Sequence, residues 1–221
     1  MKKTSSKKIN KISKKAKNTL NLQDLQVQIR TPKILKVAEL GHEVLRRKAD
    51  AVAVEELVSP DFQDLIEDMI ATLKDSSGVG IAAPQVYESK RIMIIHSFPS
   101  PRYPTAPAFG PIALINPKIL SKSAKKVDGW EGCLSFPGIR GFVPRHHSVE
   151  IEYTDRTGKK FKKVFKDFLA RIFQHEFDHL EGIVFLDRIK GKDIITEKEF
   201  LKLMAATPLK GGTKSSSRKK K

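Results

Sequence analysis

Two histidines four residues apart, His175 and His179, carry the strongest chemical signal in this sequence. Side chains at this spacing share one face of a helix and can hold a single divalent metal. Glu176 would then lie beside the open position of that metal. The apolar residues ahead of the pair have helical spacing and Gly182 supplies a stop, which predicts a buried helix. The structural alternative is a helix with two histidines and a solvated acid, but a Glu at this position favours a metal site.

A catalytic site with two histidine ligands needs a third protein ligand. No His follows position 179, and the acids downstream lie among residues typical of turns and surface helices; they are Glu181, Asp187, Asp193, Glu197 and Glu199. The only cysteine, Cys133, lies upstream in a segment bracketed by glycines and a proline, which predicts irregular backbone. A lone cysteine is more often a small buried hydrophobe. A Cys-His-His set, however, leaves a fourth position for water, as catalytic sites do.

Three ordered segments together resemble a known family. Residues 78–85 read Gly-Val-Gly-Ile-Ala-Ala-Pro-Gln, residues 131–135 read Glu-Gly-Cys-Leu-Ser, and residues 174–182 read Gln-His-Glu-Phe-Asp-His-Leu-Glu-Gly. The order and spacing resemble the peptide deformylase signatures Gly-x-Gly-Leu-Ala-Ala-Pro-Gln, Glu-Gly-Cys-Leu-Ser and Gln-His-Glu-x-Asp-His-Leu-x-Gly. One position departs, because Ile81 replaces the usual Leu, which conserves side-chain volume.

This resemblance implies a metal-dependent hydrolase that removes the formyl group from the N-terminal formyl-methionine of newly synthesised polypeptides and releases formate. Cys133 as a thiolate, with His175 and His179, would bind the metal, which lowers the pKa of its water from about 15.7 towards about 7. Glu176 would take the proton of that water and return it to the departing nitrogen. The side-chain amide of Gln85 and the backbone N–H of the residue after the cysteine, Leu134, would donate to the oxyanion.

The resemblance also implies which residues meet the substrate. Gly80 could offer its carbonyl group to an extended peptide. Phe168 and Ile172 could form the wall of a pocket for the methionine side chain, but core packing explains these two helix residues about equally well. The residues expected to contact the substrate are Gly80, Ile81, Phe168, Ile172 and Arg140. Glu131 and Asp178 are candidates for orienting the metal ligands or pairing with Arg140 or Arg145, with an exposed salt bridge as the alternative.

Imidazole and thiolate ligands suit several divalent metals alike, so the ligand types alone do not name the ion. The family resemblance implies Fe(2+) in the cell, with Zn(2+), Ni(2+) or Co(2+) as alternatives. One divalent metal is expected per chain.

Charge along the chain separates a balanced body from basic ends. The 221 residues carry a net charge of +17, but residues 1–20 hold eight lysines and residues 210–221 hold six basic residues, all without acids. Residues 21–209 therefore carry 28 basic and 25 acidic residues. We expect three regions: a Lys-rich disordered tail over residues 1–25, a catalytic domain over 26–208, and a Lys/Ser-rich disordered tail over 209–221.

The tails have three interpretations. Polycations bind phosphate backbones without sequence preference, so the tails could hold the enzyme near the ribosome and its rRNA. They could also only solubilise the protein, or residues 1–20 could be an organelle transit peptide. No apolar run approaches the roughly 18 residues needed to cross a bilayer, and one cysteine forms no internal disulfide. We therefore expect a cytoplasmic monomer without a membrane partner, an organelle being the alternative.

The body has an α+β pattern. Ser59 and Pro60 predict the start of an amphipathic helix that ends near Asp75. Strands are expected at 91–96 and 112–115, a hairpin at 149–165, and a short last helix capped by Thr196. As in the deformylase fold, antiparallel or mixed strands should pack around a central helix that carries the metal-binding motif.

Two other functions remain compatible with the residues. One keeps the metal and water but changes the substrate, which gives another amidohydrolase or a peptidase. The other is a basic ribosome- or RNA-binding protein with a vestigial site. The presence of Cys133, Glu176 and Gln85 together argues against the second, because a vestigial site has no chemical reason to keep a base and an oxyanion donor.

Overall fold

The computed structural model describes residues 30–100, 102–189, 191 and 193–206. The predicted tails, over residues 1–25 and 209–221, lie outside these described residues. The chain divides into two units, residues 1–31 and 32–221, and the fold given below is that of the described part of the second unit. No helix among the described residues is long and apolar enough to cross a membrane.

Eight strands form two antiparallel sheets. The first sheet contains, in spatial order, β1 (Gly80–Ala82), β2 (Ile92–Ser97), β3 (Phe109–Lys122), β6 (Ser148–Thr154) and β7 (Lys160–Lys166). The second contains β4 (Lys126–Cys133), β5 (Phe136–His146) and β8 (Ile194–Thr196). The predicted hairpin is confirmed as β6 and β7, and β3 extends well beyond its predicted bounds.

Three α-helices join these sheets: α1 (Pro60–Asp75), α2 (Asp167–Leu180) and α3 (Glu197–Ala206). The predicted start of α1 is confirmed, because the Ser59 hydroxyl accepts a hydrogen bond from the Phe62 N–H and Pro60 occupies the first helical position. The predicted cap of α3 is also confirmed, because the Thr196 hydroxyl accepts from the Glu199 N–H at 3.3 Å.

Strands β1 and β2 of the first sheet are buried on both faces, between the two long helices. Along β2, Met93 and Ile95 belong to the core cluster that contains Phe173 of α2. The intervening Ile92 and Ile94 belong to the cluster that contains α1. This alternation follows from the two-residue period of a strand. The predicted α+β architecture with α2 at its centre is confirmed, and it fixes the motif helix rigidly against the sheet.

Candidate metal centre and active site

Helix α2 presents its polar motif residues on a buried surface. His175, Glu176 and His179 are only 8%, 4% and 1% exposed. The predicted stop at Gly182 is confirmed, because this residue follows the helix with a φ of 70°. A Cβ at position 182 would lie 2.6 Å from the carbonyl oxygen of Arg46, so glycine is required there for space as well as for conformation.

Cys133 reaches the same point from the second sheet. The prediction of irregular backbone around it is confirmed in part: Cys133 ends β4 and pairs with Phe136 of β5 across a two-residue turn, but the register of β4 on β5 shifts between Glu131 and Cys133. The glycines of this segment also allow close packing. A Cβ at Gly132 would lie 2.7 Å from the guanidinium of Arg140, and a Cβ at Gly129 would lie 2.9 Å from that of Arg171.

The three predicted metal ligands converge. The Sγ of Cys133 lies 3.2 Å from Nε2 of His179. One ligand atom from each of Cys133, His175 and His179 lies within 4.8 Å of the others. Within the described part of the chain this is the single such group of three or more side chains, and none of the downstream acids joins it. One thiol and two imidazoles form a donor set suited to a borderline or soft divalent metal.

Glu131 forms a hydrogen bond with the first proposed histidine ligand, His175. Its Oε2 accepts a hydrogen bond from Nδ1 of His175 at 2.9 Å, which leaves the opposite ring nitrogen free to bind a metal. Arg145 donates to both oxygens of Glu131 at 2.9 Å, and Arg171 donates to Oε1 at 2.8 Å. Burial by itself raises the pKa of Glu131, but the Arg145 charge and the hydrogen bonds from His175 and Arg145 hold it well below its usual value.

The same arginine connects to the motif helix. Arg145 also donates to Asp178, which lies between the two motif histidines and accepts further hydrogen bonds from Arg188. The predicted pairing of Glu131 and Asp178 with Arg145 is confirmed. The alternative of an exposed salt bridge is wrong, because all three side chains are at most 8% exposed.

Glu176 is a buried carboxylate placed beside the proposed ligands. It packs so closely against Gly80 that a Cβ there would lie 2.3 Å from its Oε1. Its Oε2 has no hydrogen-bond partner among the described residues, and neither has Nδ1 of His179. Burial raises the pKa of Glu176 to about 7, although the nearby His175 opposes this shift. A carboxylate with this pKa can accept and release a proton near neutral pH.

The side-chain amide of Gln85 points its NH2 group at the cysteine. Its Oε1 accepts a hydrogen bond from the Ala82 N–H at 2.8 Å, which fixes the orientation of the amide. Its Nε2 lies 3.3 Å from the Sγ of Cys133 and donates to the Ser135 hydroxyl at 3.3 Å. Leu134 follows Cys133 in the turn between β4 and β5, so both predicted oxyanion donors lie next to the proposed ligands.

A cavity of about 280 Å³ opens onto this group. Cys133, His175 and Glu176 lie in its wall, as do Gln85 and Leu134. Four of the five predicted substrate-contacting residues also line it; these are Gly80, Phe168, Ile172 and Arg140. The cavity therefore unites segments that lie far apart in the sequence.

Ile81 is the exception, and its predicted place in the pocket wall is corrected. Its side chain is fully buried in the cluster formed with α1, whereas Ala82 belongs to the cluster on the α2 side. Alternation along β1 therefore turns the side chain of Ile81 away from the cavity.

Several wall residues lie outside the sequence prediction. Tyr103, from the proline-rich segment between β2 and β3, packs against Phe168 with ring centroids 4.9 Å apart and ring planes tilted by 47°. Trp130 and Glu197 also line the cavity. Arg171 also lines the cavity, and the sequence alone could have indicated it, because it precedes His175 by four residues and shares its helix face. No local pattern identifies Glu197, which is brought to the cavity by the pairing of β8 with β5.

Comparison with known proteins decides the family. The sequence profile of the family described as Polypeptide deformylase matches residues 34–194. The chain belongs to the polypeptide deformylase family. It is an enzyme, a hydrolase that removes the N-formyl group of nascent polypeptides, and metal dependence is general in this family.

Individual polypeptide deformylases are similar to this chain in both sequence and structure. The chain is 52% identical over 174 residues to peptide deformylase 2 of a Nostoc species, which covers 78% of this chain and 96% of that protein. A crystal structure of class I type b peptide deformylase from Acinetobacter baumannii, bound to Met-Ala-Ser, superposes with a TM-score of 0.71 at 45% identity. It covers 72% of this chain and 100% of that one. The deformylase of Thermotoga maritima gives a TM-score of 0.63 at 34% identity, over 72% of this chain and 99% of that one.

Proposed function

We propose that Cys133, His175 and His179 hold one divalent metal in this chain, and that it is Fe(2+) in the cell, with Zn(2+), Ni(2+) or Co(2+) able to replace it. The observation that carries this proposal is the convergence of three ligand atoms within 4.8 Å of one another, next to a cavity that Cys133 and His175 line. The hydrogen bond from His175 to Glu131 supports it, because ligating histidines usually donate their second N–H to such a group. When bound, the metal supplies an activated water for attack on the formyl carbon.

Glu176 is the general base and acid of the reaction. Its free Oε2 accepts a proton from the attacking water, and the carboxyl group then donates it to the nitrogen of the departing amine. Burial supports this role, because it raises the pKa of the Glu176 carboxyl group to about 7. The tight contact with Gly80 holds the carboxylate in one position.

Gln85 and Leu134 stabilise the oxygen that becomes negatively charged. The Nε2 of Gln85 and the backbone N–H of Leu134 donate to it from positions next to Cys133. Removing one such donor typically raises the barrier by about 2.7–4 kcal/mol. Any side chain except proline at position 134 preserves the backbone donor.

The substrate is an extended peptide whose first residue is formyl-methionine. Strand β1 lies at the edge of the first sheet, so the backbone of Gly80 and Ile81 can pair with an added strand. Phe168 and Ile172 form an apolar wall for the methionine side chain. Arg140 meets residues that follow the methionine.

The basic ends support a location beside the ribosome. Their 14 positive charges attract rRNA, which would raise the concentration of the enzyme near nascent chains. We propose a cytoplasmic location on this basis. An organelle location is the alternative, tested by fusing residues 1–20 to a fluorescent protein and observing where it accumulates.

Metal analysis of protein purified anaerobically, followed by a deformylation assay on the same sample, tests the metal centre. We expect one metal per chain and turnover of a formyl-methionyl peptide in preference to an acetylated or internal peptide. Replacing Cys133 by Ser should release the metal or abolish turnover, because a neutral hydroxyl is a poorer ligand than a thiolate. Full metal content and activity in Cys133→Ser would place the third ligand elsewhere.

A further inference from the structure

The last helix of the domain contributes a residue to the active-site cavity. Strand β8 pairs with β5, and Ile195 is opposite Arg140. Because α3 begins immediately after β8, Glu197 in its first turn lies beside Arg140 and both residues line the cavity. The family profile ends at residue 194, so Glu197 lies outside the matched part of the chain.

Glu197 and its neighbour on α3 hold the Arg140 guanidinium from two directions. Nε and Nη2 of Arg140 donate to the two oxygens of Glu197, the second at 2.9 Å. The same guanidinium lies over the ring of Phe200, 4.9 Å from its centroid. A bidentate pair of this kind fixes both the position and the plane of an arginine.

The guanidinium of Arg140 lies next to the proposed metal ligand Cys133. It packs on the backbone of Gly132, the residue before Cys133, where an added Cβ would lie 2.7 Å from Nη1. Nη1 also donates to the Tyr103 hydroxyl at 3.3 Å. An arginine has five N–H donors, and those contacts with other described residues use three. Two donors therefore remain for a ligand in the cavity.

We propose that Glu197 is a positioning residue that fixes Arg140 so that its two remaining N–H groups bind backbone carbonyl oxygens of the substrate beyond the formyl-methionine. The inference rests on the proposed substrate contact of Arg140. The carboxylate also faces Arg102, at 3.9 Å, which offers it a second cation without replacing the bidentate geometry. Without Glu197, Arg140 would keep its charge but lose its fixed orientation, which costs side-chain entropy on every binding event.

Steady-state kinetics on two substrates test this inference. The substrates are formyl-Met amide and formyl-Met-Ala-Ser amide, of which only the second has carbonyl groups beyond the formylated residue and its amide. The variants are Glu197→Gln and, as matched control, Glu199→Gln. Glu199 lies on the same helix and loses the same charge, but its carboxylate pairs, among the described residues, only with Lys202 on the exposed surface.

We expect Glu197→Gln to raise KM for the longer substrate about tenfold, since a hydrogen bond to a charged group contributes at least this much to binding. Its kcat should be retained, because the lost interaction is equally present in ground and transition states. Glu199→Gln should match the wild type on both substrates. In an Arg140→Lys background, Glu197→Gln should add little, because both changes remove one interaction.

Three results separate the possible failures. Equal ratios of kcat/KM between the two substrates in wild type and Glu197→Gln would overturn the positioning role. The same would follow from a lowered Tm without a change in that ratio, which is the result expected of a purely structural ion pair. A metal-loaded wild type that deformylates neither substrate would instead overturn the proposed function itself and this inference with it.

Discussion

Two arginines of strand β5 are equally buried, at 5% exposure each, but they bind carboxylates that differ in burial, and this difference gives the two ion pairs different roles. The inner cluster consists of Glu131, Arg145 and Asp178, whose side chains are 4%, 5% and 8% exposed. The rim cluster consists of Arg102, Arg140 and Glu197; its carboxylate is 29% exposed and Arg102 is 41% exposed. The same ion-pair chemistry therefore supports the metal ligands in one place and lines the substrate cavity in the other.

Burial determines what a missing partner costs in each cluster. In the inner cluster a lost cation leaves two carboxylates that water cannot reach, and breaking such a pair typically costs about 3–5 kcal/mol. In the rim cluster the carboxylate of Glu197 is 29% exposed and regains water when its cation is lost, so the loss costs less there. Stability should therefore depend on the inner cluster, whereas substrate recognition should depend on the rim cluster.

The largest effect should come from a residue that belongs to neither cluster. We expect Glu176→Gln to retain its metal and its stability but to lose deformylation by about 10²–10⁴-fold or more, because proton transfer fails while the ligands are untouched. Metal content, Tm and turnover measured on one preparation check this. Near-normal turnover in the metal-loaded variant would remove Glu176 from its role.

The second prediction tests the difference between the inner and rim clusters directly. Arg145→Met should lower the free energy of unfolding by about 3–5 kcal/mol, because Glu131 and Asp178 lose a shared partner in a buried position. Arg140→Met on the same strand should cost less, because the carboxylate that it leaves behind, Glu197, is 29% exposed and regains water. Urea unfolding at one fixed metal concentration measures both changes. Equal losses of unfolding free energy in the two variants would show that the different burial of the two sets of carboxylates does not determine the cost.

A smaller effect concerns the pH dependence of the rim cluster. The hydrogen bond from Arg140 lowers the pKa of Glu197 below its ordinary 4.5, so this pair stabilises the fold above that pH and the stabilisation is lost as the pH falls through the lowered value. At pH 7 the Tm of wild type should exceed that of Glu197→Gln by about 2–4 °C or less. The difference should shrink towards pH 3. A difference that persists at pH 3 would show that charge is not its cause.

The smallest effect on turnover should follow removal of the tails. Deleting residues 1–20 and 210–221 removes 14 positive charges but neither cluster, so turnover of a short formylated peptide should hardly change. Ribosome binding should weaken. If the tails neutralise four phosphates, the log–log dependence of affinity on salt should have a slope of roughly −3 to −4 that truncation flattens. An unchanged slope, or no binding of the full-length protein at low salt, would favour the solubilising or targeting role.

The sequence by itself determined the chemistry and the local elements of this protein. Residues 174–182 identify a metal-binding helix because ligand spacing and helix period are both local properties. The caps at Ser59 and Thr196 and the β6–β7 hairpin are likewise encoded within a few residues. Cys133 and Gln85 could be assigned only because their segments resemble those of a family, since nothing local connects them to the helix.

Only the tertiary structure decided which surfaces these elements turn towards each other. The glycines around Cys133 indicate irregular backbone, and the structure adds that two of them make room for Arg140 and Arg171 beside a hairpin whose register shifts between Glu131 and Cys133. Ile81 faces α1 because the register of β1 on β2 sets its alternation. Glu197 reaches the cavity through the pairing of β8 with β5, across more than fifty residues of chain. Such contacts depend on distances in space, and the order of residues along the chain does not encode them locally.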